Sequence, residues 1–486
     1  MAAETQTIPK GRARRVVIDP LSRVEGHGKV TIRLDDQGKV EQARLHIVEF
    51  RGFERFVQGR PYWEVPVLVQ RLCGICPVSH HLAAAKAMDR IVGVDRLPPT
   101  AEKVRRLMHY GQILQSHALH FFHLSSPDLL FGFDAPVETR NVVGVARAHP
   151  DLAVMGVTMR RFGQEVIEAT AGKKIHGTGA IPGGVNKPVD RGDREHLRGQ
   201  IDEILTGAER AVNVARDYTL AHRDTLAAFA DFESAHMSLV RHDGALDLYD
   251  GDLRCLEADG TPRLDDVPVD TYADVLGEEV RSWSYMKFPF VRALGPRDGW
   301  YRVGPLARMN TCDFVPSRQA EIARRMLQEE LGPELSRMTM AYHWARMIEL
   351  LHAAEVVRDL LDDPEIVGRD FRARGERRTE AVGAIEAPRG TLLHHYEVDE
   401  RDQVVRANLI VSTTHNNEAM NRSVLRVAEE DLQGVEITEG LLNHVEVAIR
   451  AYDPCLSCAT HAMGRMPLVV QLHDSRGEVI AERARS

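Results

Sequence analysis

The sequence predicts a mainly α (α+β) fold: a large helical core carrying small antiparallel sheets. Three observations lead there. Helical periodicity dominates beyond the first fifty residues. Two-residue alternation is confined to short stretches near the start, around 391–411 and at the end. No internal repeat, Ser/Gly linker or low-complexity block divides the 486 residues, which predicts one large interwoven unit.

Taken in order, KVTIRLDDQGKVEQARLHIVEF alternates apolar and polar residues around Asp36-Gln37-Gly38, a hairpin signal. Val104, Leu107, Leu114, His117 and Phe121 recur at near-helical spacing and place a helix over 101–124. Residues 195–230, 317–330 and 335–361 read as further long helices. A strand pair is expected around 391–411, turning near Asp399 to Asp402. PLVVQLHDSRGEVIAE reads as a last hairpin.

Charge and motif content exclude several function classes. The net charge of −9 gives no general electrostatic reason to hold nucleic acid or anionic lipid. No run approaches the roughly 18 apolar residues of a membrane span. MAAETQTIPKGRARR lacks an apolar segment after its basic residues, so no secretory signal and a cytoplasmic address are expected. The chain carries no G-x-G-x-x-G after a strand, no G-x-x-x-x-G-K-[ST], no H-E-x-x-H and no G-x-S-x-G.

The cysteines carry the chemistry. Six in a chain this long are not a disulfide framework. Four form two C-x-x-C pairs, Cys73/Cys76 in RLCGICPVSHH and Cys455/Cys458 in DPCLSCATH. Two intervening residues let both sulfurs face one metal. Two pairs separated by nearly the whole chain suggest one four-thiolate site that ties the termini together. Spacing alone leaves a structural zinc site open, and soft thiolates also admit nickel, iron and copper. Against structural zinc stands the size of the chain, which needs no such staple. The Arg, Asp and His residues crowding both pairs also suit a reactive site better than a closed one. Cys255 and Cys312 read as small buried apolar residues. His117, His120 and His123 read as packing and hydrogen-bonding groups, and the glycines of HGTGAIPGGVNK as tight turns.

RLCGICPVSHH and DPCLSCATH resemble the two cysteine signatures of the large subunits of nickel–iron hydrogenases. DPLSRVEGHG, FRGFERFVQGR, SHALHFFHLSSPD, GKKIHGTGAIPGGVNKPV, VGPLARMN and EAPRGTLLHH resemble further family segments and occur in the family order. The likeness runs from about residue 17 to the end of the chain. SHALHFFHLSSPDLLFGFD most resembles the soluble, NAD-linked (bidirectional) branch.

The resemblance implies a large-subunit fold and reversible, heterolytic splitting of H2 into protons and electrons. It implies that Cys73 and Cys455 bind nickel terminally, while Cys76 and Cys458 bridge nickel to an iron carrying CO and cyanide. Glu25 matches the proton relay. Arg389, beside Pro388, matches a guanidinium over the open metal position, with Asp128 and Asp453 matching the carboxylates that hold it. Thr413 matches a hydroxyl that donates to cyanide, although Ser412 and His415 replace the family's usual proline and tryptophan. His80, four residues after Cys76, lies on the same helical face and is expected to hydrogen-bond a bridging sulfur. Glu54, His461 and the Leu409 carbonyl match a magnesium (or iron) site near the C-terminus.

Partners follow from the count of ligands. An iron–sulfur cluster ordinarily takes about four cysteines. Only Cys255 and Cys312 remain here, so an Fe–S relay belongs in a docked small subunit, and flavin and NAD in diaphorase subunits. The family matures by proteolysis after the histidine of the second cysteine motif. That implies a domain over 1–461 and a tail over 462–486, removed after His461 by a maturation protease once nickel chaperones have loaded the site. Two other readings stay open: a regulatory hydrogen sensor, and a non-enzymatic scaffold with a four-cysteine zinc site.

Overall fold

The computed structural model describes residues 14–431, 438–462, 468–473 and 479–485. The chain opens with an antiparallel sheet of β1 (Arg14–Ile18), β2 (Gly28–Leu34) and β3 (Val40–Ile47). The β2–β3 hairpin turns at Gly38, which takes the positive φ of 82° that this turn requires. Val30, Ile32 and Leu34 are buried and pack into the main core.

Helices then take over. α1 (Pro77–Ile91) begins at Cys76, with Pro77 in the first turn where its missing N–H costs nothing. α2 (Pro99–Leu119) fills most of the expected 101–124 helix and continues as a π-helical turn over His120–Ser125. α3 (Pro150–Ala171) packs on α2 where two glycines meet: a Cβ on Gly163 would stand 2.6 Å from the Gly111 carbonyl oxygen. The single helix expected over 195–230 is divided, with α4 (Ile201–Ala221) flanked by the short helices Arg191–Arg198 and Arg223–Ala228. Gly199 stands at the first break and weakens the helix there.

A four-stranded sheet absent from the sequence reading follows: β4 (Ala235–Val240), β5 (Asp252–Leu256), β6 (Pro262–Val267) and the short β7 (Tyr301–Arg302). β4 alternates from Ala235 to Leu239, yet both of its faces are buried, because His236 bonds the Ser336 carbonyl and Ser238 the Thr311 hydroxyl. β7 pairs parallel to β4, so the sheets are not all antiparallel. α5 (Arg318–Leu331) matches its expectation. α6 (Tyr342–Asp362) starts later than expected, because 3-10 turns over Gly332–Ser336 and Thr339–Ala341 precede it and Pro333 interrupts the pattern.

β8 (Glu380–Ala387), β9 (Gly390–Val398) and β10 (Val404–Ile410) form an antiparallel sheet whose second hairpin is the expected strand pair. α7 (Asn417–Asp431) and α8 (Glu439–Ala451) lead to the second cysteine pair. The hairpin expected at the end is present as β11 (Leu468–His473) and β12 (Val479–Arg485). The rest of the expected tail, apart from Ala462, lies outside the described residues. One contiguous apolar core runs from Ile18 to Ala459, with a smaller cluster on the β4–β5 sheet. No helix among the described residues is long and apolar enough to cross a membrane.

Candidate metal centre

The four paired cysteines converge. Cys73 is extended (φ −149°, ψ 148°) at the end of a 3-10 turn, and Cys76 caps α1, whose positive end favours a thiolate there. After α8 the chain turns at Asp453, held at a φ of 53°, and enters the loop bearing Cys455 and Cys458. All four thiols are buried and free, with their sulfurs within 4.8 Å of one another. Cys73 and Cys455 are 3.3 Å apart, Cys76 and Cys458 3.6 Å, and Cys455 and Cys458 2.6 Å. Hydrogen bonds from Cys455, Cys458 and Cys76 pull Cys73 well below a thiol's ordinary value. Burial pushes Cys455 and Cys458 well above it. Four soft donors crowded this closely suit a thiophilic metal that displaces their protons.

The N-terminal segment closes over this loop. Glu25 pairs its backbone with Cys455 as an isolated bridge, and Leu456 N–H donates to its carbonyl at 2.9 Å. Gly26 makes the approach possible: it sits at a φ of 87°, and a Cβ there would meet Ser457 N at 2.6 Å. The half-buried Glu25 Oε2 then accepts from Cys455 Sγ at 3.0 Å and from Ser457 N–H at 3.2 Å. Ser457 Oγ donates to Glu49 at 3.4 Å, and Glu49 Oε2 stands 3.2 Å from Nδ1 of His27, whose side chain is 75% exposed. Sequence alone does not single out Ser457, Glu49 and His27, although the RVEGHG segment contains one of them.

A small cavity beside the sulfurs is lined by Cys76, Cys455, Cys458, His80, Pro388, Arg389 and Thr413. Arg389 Nε donates to the Asp453 carbonyl at 2.5 Å and Nη2 to Asp453 Oδ1 at 3.1 Å. Nη1 is buried without a partner. Burial opposes the Arg389 charge, but Asp453 and the thiolates outweigh it and hold the guanidinium well above its ordinary value. Arg389 therefore has one of the two expected carboxylates. Asp128 pairs instead with Arg23 at 2.5 Å and Arg450 at 2.7 Å, and accepts from Asn443. Despite burial, these two guanidinium groups hold Asp128 below the usual carboxylate range.

Arg308, which the sequence does not mark as a site residue, braces the Arg389 loop. It is fully buried, bonds Glu349 and Glu386, and donates to the Ala387 and Pro388 carbonyls at 3.1 and 3.3 Å. His117 Nε2 stands 2.9 Å from the same Glu349, and His120 meets the Arg450 carbonyl at 2.7 Å, so both are hydrogen-bonding core groups. Thr413 Oγ1 accepts from Cys455 N–H at 3.0 Å. The two departures near it are satisfied: Ser412 donates to the Gly390 carbonyl at 2.7 Å, and His415 Nδ1 meets Tyr301 OH at 2.8 Å.

His80 turns Nδ1 toward His394 Nε2 at 3.2 Å, and no hydrogen bond joins it to a sulfur among the described residues. Burial lowers it to about 4, so the ring is neutral. Glu54 Oε1 accepts from the Leu409 N–H at 2.9 Å. The Lys287 ammonium stands 3.1 Å from the same oxygen and 3.4 Å from Glu278. His461 Nε2 meets the Cys458 carbonyl at 2.8 Å and its Nδ1 is a buried orphan. The Glu54 carboxylate and the Leu409 carbonyl are oxygen donors of the kind magnesium takes, the His461 imidazole suits iron better, and an ion on Glu54 has to displace Lys287. Cys255 and Cys312 lie in separate apolar clusters, where burial pushes each thiol to about 12. Among the described residues no other group of three or more cysteines gathers.

A helical core that draws four thiols from both ends of one chain around a buried cavity defines a thiolate-ligated metalloprotein. The chain belongs to the nickel-dependent hydrogenase family: the family model of that description matches residues 51–134 and 253–461, and one described as HoxL-like matches 15–50. It is 48% identical to the NAD-reducing hydrogenase HoxS subunit beta of Cupriavidus necator, over 97% of this chain and all of that one. It is 41% identical to a chain of the vhc F420-non-reducing hydrogenase of Methanococcus voltae, over 95% of this chain and 98% of the relative. A crystal structure of an NAD+-reducing [NiFe]-hydrogenase in the H2-reduced state superposes with a TM-score of 0.91 at 58% identity, over 92% of this chain and 99% of that one. The Ni-Fe-Se hydrogenase of D. vulgaris Hildenborough shares the fold, with a TM-score of 0.75 at 24% identity over 93% of this chain and 100% of that one. The chain is thus a hydrogenase of the large-subunit type, and the expected fold class holds.

Proposed function

We propose that this chain is the catalytic large subunit of a nickel–iron hydrogenase that splits H2 reversibly and passes its electrons through a small subunit to NAD. The observation that carries this reading is the pairing of four buried thiols with Glu25 on one sulfur and Arg389 on the adjoining cavity. When bound, the nickel–iron pair supplies the electron acceptor for heterolytic splitting. Cys73, Cys76, Cys455 and Cys458 would hold that pair through their four sulfurs. Glu25 takes the proton at Cys455 and hands it outward, with Ser457, Glu49 and His27 lined up beyond it.

Arg389 stays charged, fixed by Asp453, and lines the cavity with its Nη1 unpaired among the described residues. With the Thr413 proton, which has no protein acceptor among the described residues, it suits the anionic end of a cyanide on iron. Pro388 gives the cavity an apolar wall. His80 offers its free ring nitrogen there. Asp128 acts at one remove, by fixing Arg23 beside Glu25.

Glu54, the Leu409 carbonyl and His461 would hold magnesium or iron, in place of the contact Lys287 now makes with Glu54. The segment after His461 is a maturation tail, a reading supported by the family match that ends at residue 461. Ala462 is buried and its N–H donates to the Tyr285 carbonyl at 3.0 Å, so a protease has to act before this packing forms. The electron relay lies in a small subunit, because the remaining two cysteines are apart and buried. Flavin and NAD sit on diaphorase subunits, and the complex is cytoplasmic.

The experiment is hydrogen-dependent NAD reduction by the natively purified complex. Activity lost on Cys458→Ala together with nickel supports the reading. Activity retained without nickel contradicts it.

A further inference from the structure

Strand β9 makes a second connection to the thiol cavity. His394 and Tyr396 are two residues apart on β9 and so share one face, toward α1. His395 takes the other face, where it meets Tyr272 and Glu380. His80 stands in the first turn of α1. Its Nδ1 is 3.2 Å from His394 Nε2, and His394 Nδ1 is 2.7 Å from the Tyr396 hydroxyl. All three side chains are buried, at 1%, 0% and 0% exposure.

The direction of this row follows from counting protons and acceptors. The phenol carries one proton, and His394 Nδ1 is its one partner among the described residues. A neutral imidazole carries one N–H and one lone pair. If Tyr396 donates to His394 Nδ1, then His394 carries its proton on Nε2 and donates to His80 Nδ1. His80 in turn carries its proton on Nε2. In the opposite direction the Tyr396 proton is left without an acceptor in an apolar interior, and a buried orphan donor is costly. The first arrangement leaves a single N–H free, on the residue that lines the thiol cavity.

We propose that Tyr396, acting through His394, fixes His80 as its Nε2–H tautomer and so presents an N–H donor to the thiolates. Tyr396 and His394 are positioning residues. Each bond in the row polarises the next, so donation by the phenol strengthens the last N–H as a donor. The receiver, a bridging sulfur or a ligand of the metal, rests on the metal-centre reading above, whereas the direction of the row does not.

Ring-nitrogen-labelled histidine in the full chain, before nickel loading, tests the direction by 15N NMR, with His80→Gln and His394→Gln assigning the signals. The expected spectrum has both Nδ1 atoms unprotonated and both Nε2 atoms protonated. In Tyr396→Phe the His394 Nδ1 signal moves from that of a hydrogen-bonded lone pair to that of a free one. A proton on Nδ1 of either ring in the parent chain, or no shift in Tyr396→Phe, overturns the proposal. In the nickel-loaded complex, Tyr396→Phe weakens donation to sulfur, leaves the metal richer in electrons and lowers the infrared CO stretch. An unmoved CO band overturns the action on the centre. A complex devoid of nickel fails the hydrogenase reading and leaves the NMR result to decide the row by itself.

Discussion

Glu25 Oε2 lies 3.0 Å from Cys455 Sγ, although the two residues are 430 positions apart in the chain. The contact exists because the bridge between their backbones and the missing side chain of Gly26 let the N-terminal loop lie flat on the second cysteine loop. The Glu25 carboxylate and the Cys455 thiol are therefore held by one piece of local structure, assembled only when both ends of the chain are in place.

Glu25→Gln keeps an oxygen for the Ser457 N–H and removes the carboxylate proposed to accept the proton. H2 oxidation at matched nickel content is expected to fall by about 10²–10⁴. Unchanged turnover shows that the proton leaves by another route.

Gly26→Ala separates assembly from chemistry. Its Cβ collides with the Ser457 backbone, and its φ disfavours any L side chain, at a cost on the order of 1–3 kcal/mol. Far-UV circular dichroism is expected to be unchanged while nickel content falls. Full nickel loading in the variant contradicts the claim that this approach shapes the site.

Glu349→Ala strips Arg308 of its bidentate partner while leaving Glu386. Breaking a buried pair from one side costs about 3–5 kcal/mol. Denaturant unfolding reads that loss as a lowered midpoint at unchanged slope. Because Arg308 braces the carbonyls of Ala387 and Pro388, activity per bound nickel falls as well.

Stability falls on mild acidification. Burial holds His109, His236, His343 and His415 at about 3 and His352 at about 4, against an ordinary histidine value of 6.5. Between those values and 6.5 the unfolded chain binds protons that the folded chain refuses. These rings therefore leave stability intact above pH 6.5 and subtract from it as pH drops below, by up to ~1.4 kcal/mol per pH unit each. Urea midpoints at pH 7.5, 6.5 and 5.5 check this. A midpoint constant from 6.5 to 5.5 contradicts it.

Much of this centre is legible in the sequence, for chemical reasons. Two C-x-x-C pairs can be recognised without knowing the fold, because ligand geometry is local within each pair. Glu25 and Arg389 stand in segments whose residue order is distinctive. What sequence hides is which buried group answers which. Asp128 lies within reach of Arg23, Arg140 and Arg450, and only packing decides that Arg23 and Arg450 take it. His394 and Tyr396 look like ordinary strand residues until α1 is laid against them. β4 alternates over only five residues, too short a run to stand out from the helical patterns around it.

The account rests on what the four sulfurs hold, and elemental analysis of the natively purified complex measures that directly. Nickel near one per chain, with iron in excess, is the predicted result. Zinc near one per chain without nickel, in material from which the segment after His461 has been removed, contradicts it.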